Sequence, residues 1–232
     1  MAYTKRYDGR KFDETRKMEA KVGIIKNANG SAMFRFGDTI AIASVYGPRP
    51  LHPQHLQNPQ KGILRCNYDM ISFSVGERIR PGPSRRSQEI SKITEWALSS
   101  VVDLDAYPNT VVDVHIEILQ ANASTRCAGI NAAAIALAQA GISMKELVTS
   151  VSIGKIDKTL VVDVDKTEED YEEGEGATDI AMSFKSASGE LSHLQLDGKI
   201  KEDELREAIK VGRDACKKIY EVQKKALKDM GE

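Results

Sequence analysis

The sequence predicts an α+β fold: mixed β-sheets packed with α-helices, with a long helix at the C-terminal end. Strand patterns and helix patterns occur in blocks along the chain rather than in strict alternation, which favours α+β over a parallel α/β sheet. The chain has 232 residues, of which 41% are hydrophobic, so it can bury a core without disulfide or metal support. Neither a linker rich in proline, serine or glycine nor an internal repeat interrupts it, so we expect a single domain over residues 1–232.

The first part of the chain predicts an antiparallel meander. Two pairs typical of tight hairpin turns, Asn29-Gly30 and Gly37-Asp38, separate three apolar runs. The strands expected from these runs are 22–25, 32–36 and 39–45. Proline, histidine and glutamine are frequent in the next segment, 46–62, which predicts a loop.

A short strand is expected around 65–73, followed by a proline break at 81–84. Either Ser84 or Ser87 can cap the helix that follows. This helix is predicted because apolar residues recur at helical spacing, namely Ile90, Ile93, Ala97 and Val101.

The second half of the chain predicts further strands and two helices. Polar and apolar residues alternate in 111–119, as in a half-buried strand. A loop at 120–126 leads into an alanine-rich helix over 128–140, which Gly141 is expected to end. A long amphipathic helix is predicted over 202–228. The remaining strands are expected at 151–156, 159–164, 180–184 and 191–196.

Composition excludes several classes of protein. Lys and Arg total 33 and Asp and Glu total 34, for a net charge of −1, so the chain is neither strongly basic nor strongly acidic. The apolar stretches are too short or too rich in alanine to cross a bilayer, and the polar N-terminus has no signal-peptide core. Three scattered cysteines suit a reducing compartment. We therefore expect a cytoplasmic protein without membrane contact.

Charge is distributed unevenly along the chain. Residues 76–92 contain five basic and two acidic side chains, whereas 163–179 contain nine acidic side chains and one lysine. Either segment, taken alone, is as typical of a solvated loop as of a binding site. Together they indicate a site that binds an anion through arginines and keeps carboxylates nearby for acid chemistry or a divalent metal.

The loop 122–126 is the best candidate for an anion site. It ends a strand and begins a helix, where backbone N–H groups and the helix dipole attract anions. Ser124, Thr125 and Arg126 add hydroxyl and guanidinium donors, although a simple helix cap would have a similar sequence. Cys127 has no evident base beside it, which argues against covalent catalysis. The residues alone therefore indicate either a phosphate-handling enzyme or a nucleic-acid-binding module.

Six segments, taken in order, form a recognisable set: RYDGRKFDETR, GSAMFRFGDTIAIASVYGPR, HPQHL, RPGPSRRSQEISK, EILQANASTRCAGINAA and GKIDKTLVVDVD. Together they resemble the ribonuclease PH family, and more narrowly the catalytic-type ribonuclease PH-like subunit of the archaeal exosome. The similarity extends from about residue 6 to the C-terminal helix.

The resemblance implies a phosphorolytic 3′→5′ exoribonuclease. In this reaction inorganic phosphate attacks the terminal phosphodiester of RNA and releases a nucleoside diphosphate, and the reverse reaction adds 3′ tails. The phosphate ligands implied in this way are Ser124, Thr125 and Arg126. The implied RNA contacts are Arg85 and Arg86 at the 3′ end, and Arg65 at the neck of a central channel.

The resemblance also implies two catalytic aspartates that bind Mg²⁺, one of which protonates the leaving 3′-oxygen. The family's aspartates lie six residues apart, whereas Asp170 and Asp179 lie nine apart in a longer loop. Asp179 is the secure match, because the sequence that follows it fits the family without gaps. Asp170 is the better candidate for the first position, and Glu173 is its rival.

The expected partners are the 3′ end of single-stranded RNA, a second ribonuclease PH-like subunit and RNA-binding cap proteins. The two subunits would form a hexameric ring, a trimer of heterodimers. Two alternatives remain: a catalytically silent RNA-binding ring subunit, and a homohexameric ribonuclease PH that trims tRNA. Arg126 and Asp179 favour the active subunit, while the HPQHL loop and Arg65 favour the exosome version.

Overall fold

The computed structural model describes residues 3–230, and the first of its two sheets is built around a meander. The strands of this sheet are β1 (Met18–Val22), β2 (Gly30–Phe36), β3 (Thr39–Pro50), β4 (Ile63–Met70) and β5 (Thr110–Gln120). Their order is β1-β2-β3-β5-β4. β4 and β5 are parallel, and all other neighbours are antiparallel. The helix α1 (Arg85–Ser99) lies in the connection between β4 and β5, as a parallel pair requires a crossover.

The second sheet is entirely antiparallel, with the order β7-β6-β8-β9. Its strands are β6 (Val148–Ile156), β7 (Thr159–Val162), β8 (Ala177–Lys185) and β9 (Leu191–Asp197). Three further α-helices lie within residues 3–230: α2 (Thr125–Gln139), the single turn α3 (Lys166–Glu169) and α4 (Glu202–Asp229). The predicted α+β class and the long C-terminal helix are confirmed.

The helix α2 contacts strands of both sheets and is buried over most of its length. Small residues on α2 and on β2 allow the two elements to approach closely. A Cβ added to Gly30 of β2 would lie only 2.2 Å from the carbonyl oxygen of Ala136 of α2. Asn131 is buried on this helix and exchanges two hydrogen bonds with the backbone of Ser150, at 2.8 and 2.9 Å. Gln223 of α4 donates to Asn131 Oδ1 at 3.0 Å. One hydrophobic cluster therefore joins both sheets through α2. The single-domain assignment over 1–232 stays a prediction.

Most of the predicted strands differ from the observed strands by a few residues at their ends, and two of these differences have a clear physical cause. The first strand is Met18–Val22 rather than 22–25, because Gly23 adopts a positive φ of 72° and ends it. β3 continues to Pro50, into the segment predicted as loop, because Arg49 and Pro50 still pair with β5 after a bulge.

The start of α1 follows its capping residues. Both serines proposed to cap α1 take part: Ser87 N donates to Ser84 Oγ at 3.0 Å, and Ser84 N donates to Ser87 Oγ at 2.8 Å. α2 begins at Thr125, three residues earlier than predicted, and α3 was not predicted.

None of the helices within residues 3–230 combines the length and the apolar character needed to cross a bilayer.

The close approach of α2 to β2 gives a test of the packing. The change Gly30→Ala places a methyl group against the Ala136 carbonyl and the Ala140 side chain. Overpacking of this kind should lower the free energy of unfolding by about 1–3 kcal/mol, as measured by urea titration. Gly76→Ala is the control, because a Cβ there meets nothing within 4 Å. Equal stability of the two variants would contradict the close packing.

Candidate functional site

A cavity of about 430 Å³ opens where the start of α2, the segment before α1 and the second sheet meet. Its volume lies in the range of small-ligand sites. The apolar part of its wall is formed by Met70, Val75, Ile79, Ala121 and Ala181. The polar and charged part is formed by Ser124, Thr125, Ser152, Arg86, Arg126, Lys166, Glu169 and Asp179. Three cations and two carboxylates therefore share this wall.

The loop before α2 has an unusual backbone. Ala123 and Ser124 have φ values of 55° and 53°, a left-handed conformation that is uncommon for residues other than glycine. The hydroxyl of Thr39 lies 2.9 Å from Asn122 O and 2.8 Å from Ala123 O. It also accepts a hydrogen bond from Asn122 N at 3.0 Å. These contacts tie the loop to the beginning of β3.

The N-terminus of α2 has no side-chain cap at Ser124. The Ser124 hydroxyl instead lies 3.2 Å from both Asp163 Oδ1 and Val164 O, which share its single proton as acceptors. Since the first N–H groups of a helix lack intrahelical partners, they remain available to a ligand. Thr125 and Arg126, in the first turn of α2, line the cavity. This end of the cavity is therefore suited to an anion.

Arg126 is held by a chain of polar side chains. It donates to Gln195 of β9, whose Nε2 donates to Glu89 Oε1 of α1 at 2.7 Å. Burial and the positive charge of Arg126 lower the pKa of His193, also on β9, so this imidazole adds no cation near pH 7. Gln195 and Glu89 have no distinguishing sequence pattern, so only the folded chain reveals them.

The carboxylates predicted from the sequence occupy different places. Asp179 of β8 lines the cavity and accepts a hydrogen bond from Ser152 of β6. Asp170 lies outside the lining of this cavity, 61% exposed and 2.6 Å from Lys166 Nζ. It lines a second surface depression together with Glu173. Glu169, which sequence reasoning missed, lines the cavity with Asp179.

The predicted RNA contacts are likewise separated. Arg86 lines the cavity from the first turn of α1, whereas its neighbour Arg85 is exposed outside the lining. Arg65 lies on β4 and, with Arg49, contacts the buried Asp113 of β5. Burial alone would raise the pKa of Asp113, but the two guanidinium groups hold it below its usual value. The structure therefore does not bring Arg65 to the cavity.

Covalent catalysis by a thiol finds no support here. Burial raises the pKa of the Cys127 thiol to about 12, so it stays protonated and is a poor nucleophile. Among residues 3–230, no cluster of three or more His, Cys, Asp or Glu side chains is arranged around a metal position. What the cavity does provide is a helix N-terminus suited to an anion, together with two arginines and two carboxylates. That combination suits the binding and transfer of a phosphoryl group.

Comparison with known proteins identifies the family. The ribonuclease PH pattern described as the 3′ exoribonuclease family, domain 1, matches residues 14–143, and domain 2 of that family matches 146–215. The exosome complex component Rrp41 of Pyrococcus abyssi is 47% identical over 225 residues, covering 97% of this chain and 89% of that protein. Its counterpart from Methanopyrus kandleri is 44% identical over 224 residues, covering 97% and 92%.

Solved structures agree on the fold. Rice Rrp46 superposes with a TM-score of 0.84 at 24% identity, covering 96% of this chain and 100% of that one. A chain of the Archaeoglobus fulgidus exosome, solved with RNA in its active site, gives a TM-score of 0.77 at 24% identity and covers 94% and 92%. With the family patterns matched across most of its length, the chain belongs to the ribonuclease PH family of 3′ exoribonucleases.

Proposed function

We propose that this chain is the phosphorolytic 3′→5′ exoribonuclease subunit of an archaeal-type exosome. It would use inorganic phosphate to release nucleoside diphosphates from RNA 3′ ends, and in reverse it would add 3′ tails. The observation that carries this proposal is the placement of the α2 N-terminus and Arg126 in one cavity with Asp179. The relatives at 44–47% identity, which are exosome complex components, support the same function.

Inorganic phosphate would bind at the start of α2. Backbone N–H groups of Ser124 and Thr125 and the guanidinium of Arg126 can donate to its oxygens. These donors offset the repulsion between the attacking phosphate and the phosphodiester. Arg86 lines the same cavity and would hold the terminal phosphates of RNA. Arg85 and Arg65 would contact RNA outside the cavity.

In the transfer step, a phosphate oxygen forms a bond to the terminal phosphorus while the bond to the 3′-oxygen breaks. The leaving 3′-oxygen takes a proton, and a positioned carboxylic acid can supply it. Asp179 lies in the cavity, and the hydrogen bond from Ser152 orients its carboxyl group. We assign this role to Asp179, which would donate the proton in its protonated form and would bind a cation in its ionised form.

The carboxylates of the cavity fit Mg²⁺. This ion binds proteins through one or two carboxylates and completes its shell with water and substrate phosphate oxygens. Asp179 and Glu169 meet that requirement because both line the cavity. When bound there, Mg²⁺ would neutralise charge on the phosphates. Asp170 stays a prediction, since it lies outside the lining of the cavity.

The proposed partners follow from the exosome assignment. They are the 3′ end of single-stranded RNA, a second ribonuclease PH-like subunit that completes a hexameric ring, and RNA-binding cap proteins. A cytoplasmic location is proposed because all three cysteines are free and buried, as expected for a reducing compartment.

The change Asp179→Asn should lower nucleoside diphosphate release by about 100-fold or more, because it removes the proposed proton donor. The measurement is the shortening of 5′-labelled single-stranded RNA in the presence of Mg²⁺. Phosphate is either added or withheld, and the chain is tested both alone and assembled in its ring. RNA binding should persist. Asp214→Asn is the control, because Asp214 lies exposed on α4. Full activity of Asp179→Asn would exclude the assigned role, and shortening to monophosphates without phosphate would indicate a hydrolase.

The change Arg126→Ala should raise the phosphate concentration needed for half-maximal rate by about tenfold or more, because a charge-assisted hydrogen bond is lost. Initial rates across a phosphate titration measure this effect. Arg206→Ala is the matched control, since that arginine is exposed and pairs with Glu202 on α4. An unchanged phosphate dependence would contradict the role of α2 in phosphate binding.

Glu169 and Asp170 are the two candidates for the second Mg²⁺ ligand beside Asp179, and their substitutions can be compared directly. Glu169→Gln should weaken Mg²⁺ binding by about tenfold, because one of two carboxylate ligands is lost, whereas Asp170→Asn should leave it within twofold. Mn²⁺ binding followed by electron paramagnetic resonance measures the affinity without relying on activity. The opposite ranking would assign the second ligand to Asp170.

A further inference from the structure

A buried ion pair lies directly behind the loop that precedes α2. Arg16, in the segment before β1, is 8% exposed, and Asp163, after β7, is 0% exposed. Arg16 donates to both carboxylate oxygens, with Nε 2.9 Å from Oδ2 and Nη2 2.6 Å from Oδ1. The backbone N of Arg16 donates to Oδ2 at 2.8 Å. The carboxylate of Asp163 is thus held by three hydrogen bonds from one residue.

Both members of this pair also contact the loop itself. The remaining guanidinium nitrogen of Arg16, Nη1, donates to Asn122 O at 2.5 Å. Asp163 Oδ1 accepts the hydroxyl of Ser124 at 3.2 Å. Asn122 and Ser124 flank the left-handed Ala123, and Ser124 is left-handed as well. Residues other than glycine keep this conformation only when their surroundings hold them in it.

We propose that Arg16 is a positioning residue for the phosphate substrate. Together with Asp163 it fixes the backbone of Asn122 to Ser124, which directs the first N–H groups of α2 into the cavity. The bond from Arg16 also supplies a hydrogen-bond donor to the Asn122 carbonyl oxygen. This inference rests on the proposed function and adds to it a residue that does not touch the substrate.

A second buried pair in the same region provides a matched control. Arg6 and Glu168 are both fully buried, with Nη2 2.7 Å from Oε2. Arg6 also donates to the carbonyl oxygens of Val162, at 2.7 Å, and Asp163, at 2.8 Å. It therefore joins the N-terminal segment to the same stretch of chain as Arg16 does. Its hydrogen bonds, however, do not extend to the loop before α2.

The experiment compares Arg16→Gln with Arg6→Gln in the full chain, assembled with its ring partner if activity requires it. Arg16→Gln should raise the KM for inorganic phosphate by about tenfold, because the loop donors lose their alignment, while kcat and RNA affinity change less than threefold. Arg16→Lys, which keeps the charge and one donor, should recover part of this loss. Arg6→Gln should lower the melting temperature but leave the KM for phosphate within twofold.

Two results would overturn the inference: an unchanged KM in folded Arg16→Gln, or an equal rise in KM in Arg6→Gln. The products and the phosphate dependence of the wild-type reaction distinguish these results from a failure of the proposed function. If the wild type releases nucleoside diphosphates and Arg16→Gln has an unchanged KM, only the inference fails. If the wild type shortens RNA without phosphate, the proposed function fails and the inference fails with it.

Hydrogen exchange on the wild-type chain gives an answer even if the variants do not fold. Addition of inorganic phosphate should slow exchange at the amides of Ser124 and Arg16, because both belong to one hydrogen-bonded unit. The amide of Arg6 should be unaffected. Protection confined to the start of α2, without any at Arg16, would contradict the inference.

Discussion

The structure depends on the burial of α2 between strands of two sheets. Alanines allow this helix to approach β2 closely, and its one buried amide, Asn131, is satisfied by β6 and α4. Because buried polar groups are costly when unpaired, these bonds fix the position of the helix as well as its orientation. The N-terminus of α2 is consequently held at one place, next to β8 of the second sheet. The cavity forms at that place.

The acidic segment 163–179 has two separate functions in the fold. Asp163, Asp165 and Glu168 point inward, where Arg16, Arg10 and Arg6 neutralise them. Glu169 and Asp179 instead line the cavity, next to the cations of α1 and α2. Breaking one of the buried pairs would leave an uncompensated charge in the interior. The N-terminal segment is therefore bound to the wall of the site by electrostatics as well as by packing.

Much of the site could be predicted from the sequence because its signals are local. A strand that ends at a Ser-Thr-Arg loop before an alanine-rich helix indicates an anion site, and the cavity includes all three residues. The choice between Asp170 and its neighbours was not predictable, because the single turn of α3 directs Glu169 and Asp170 to different surfaces. The role of Arg16 was equally hidden, since its partners lie more than one hundred residues away in sequence.

The sequence by itself determined the fold class, the family and the loop at the start of α2. The fold class and the loop depend on hydrophobic period and turn chemistry, which act within short segments, whereas the family follows from the resemblance of whole motifs. The tertiary structure decided which charged side chains form ion pairs and which line the same cavity. It placed Asp179 with Arg126, assigned Asp163 and Glu168 to buried ion pairs, and separated Arg65 from the cavity. The physical reason is that charge pairing depends on distance in space, and only the packing of the two sheets around α2 sets those distances.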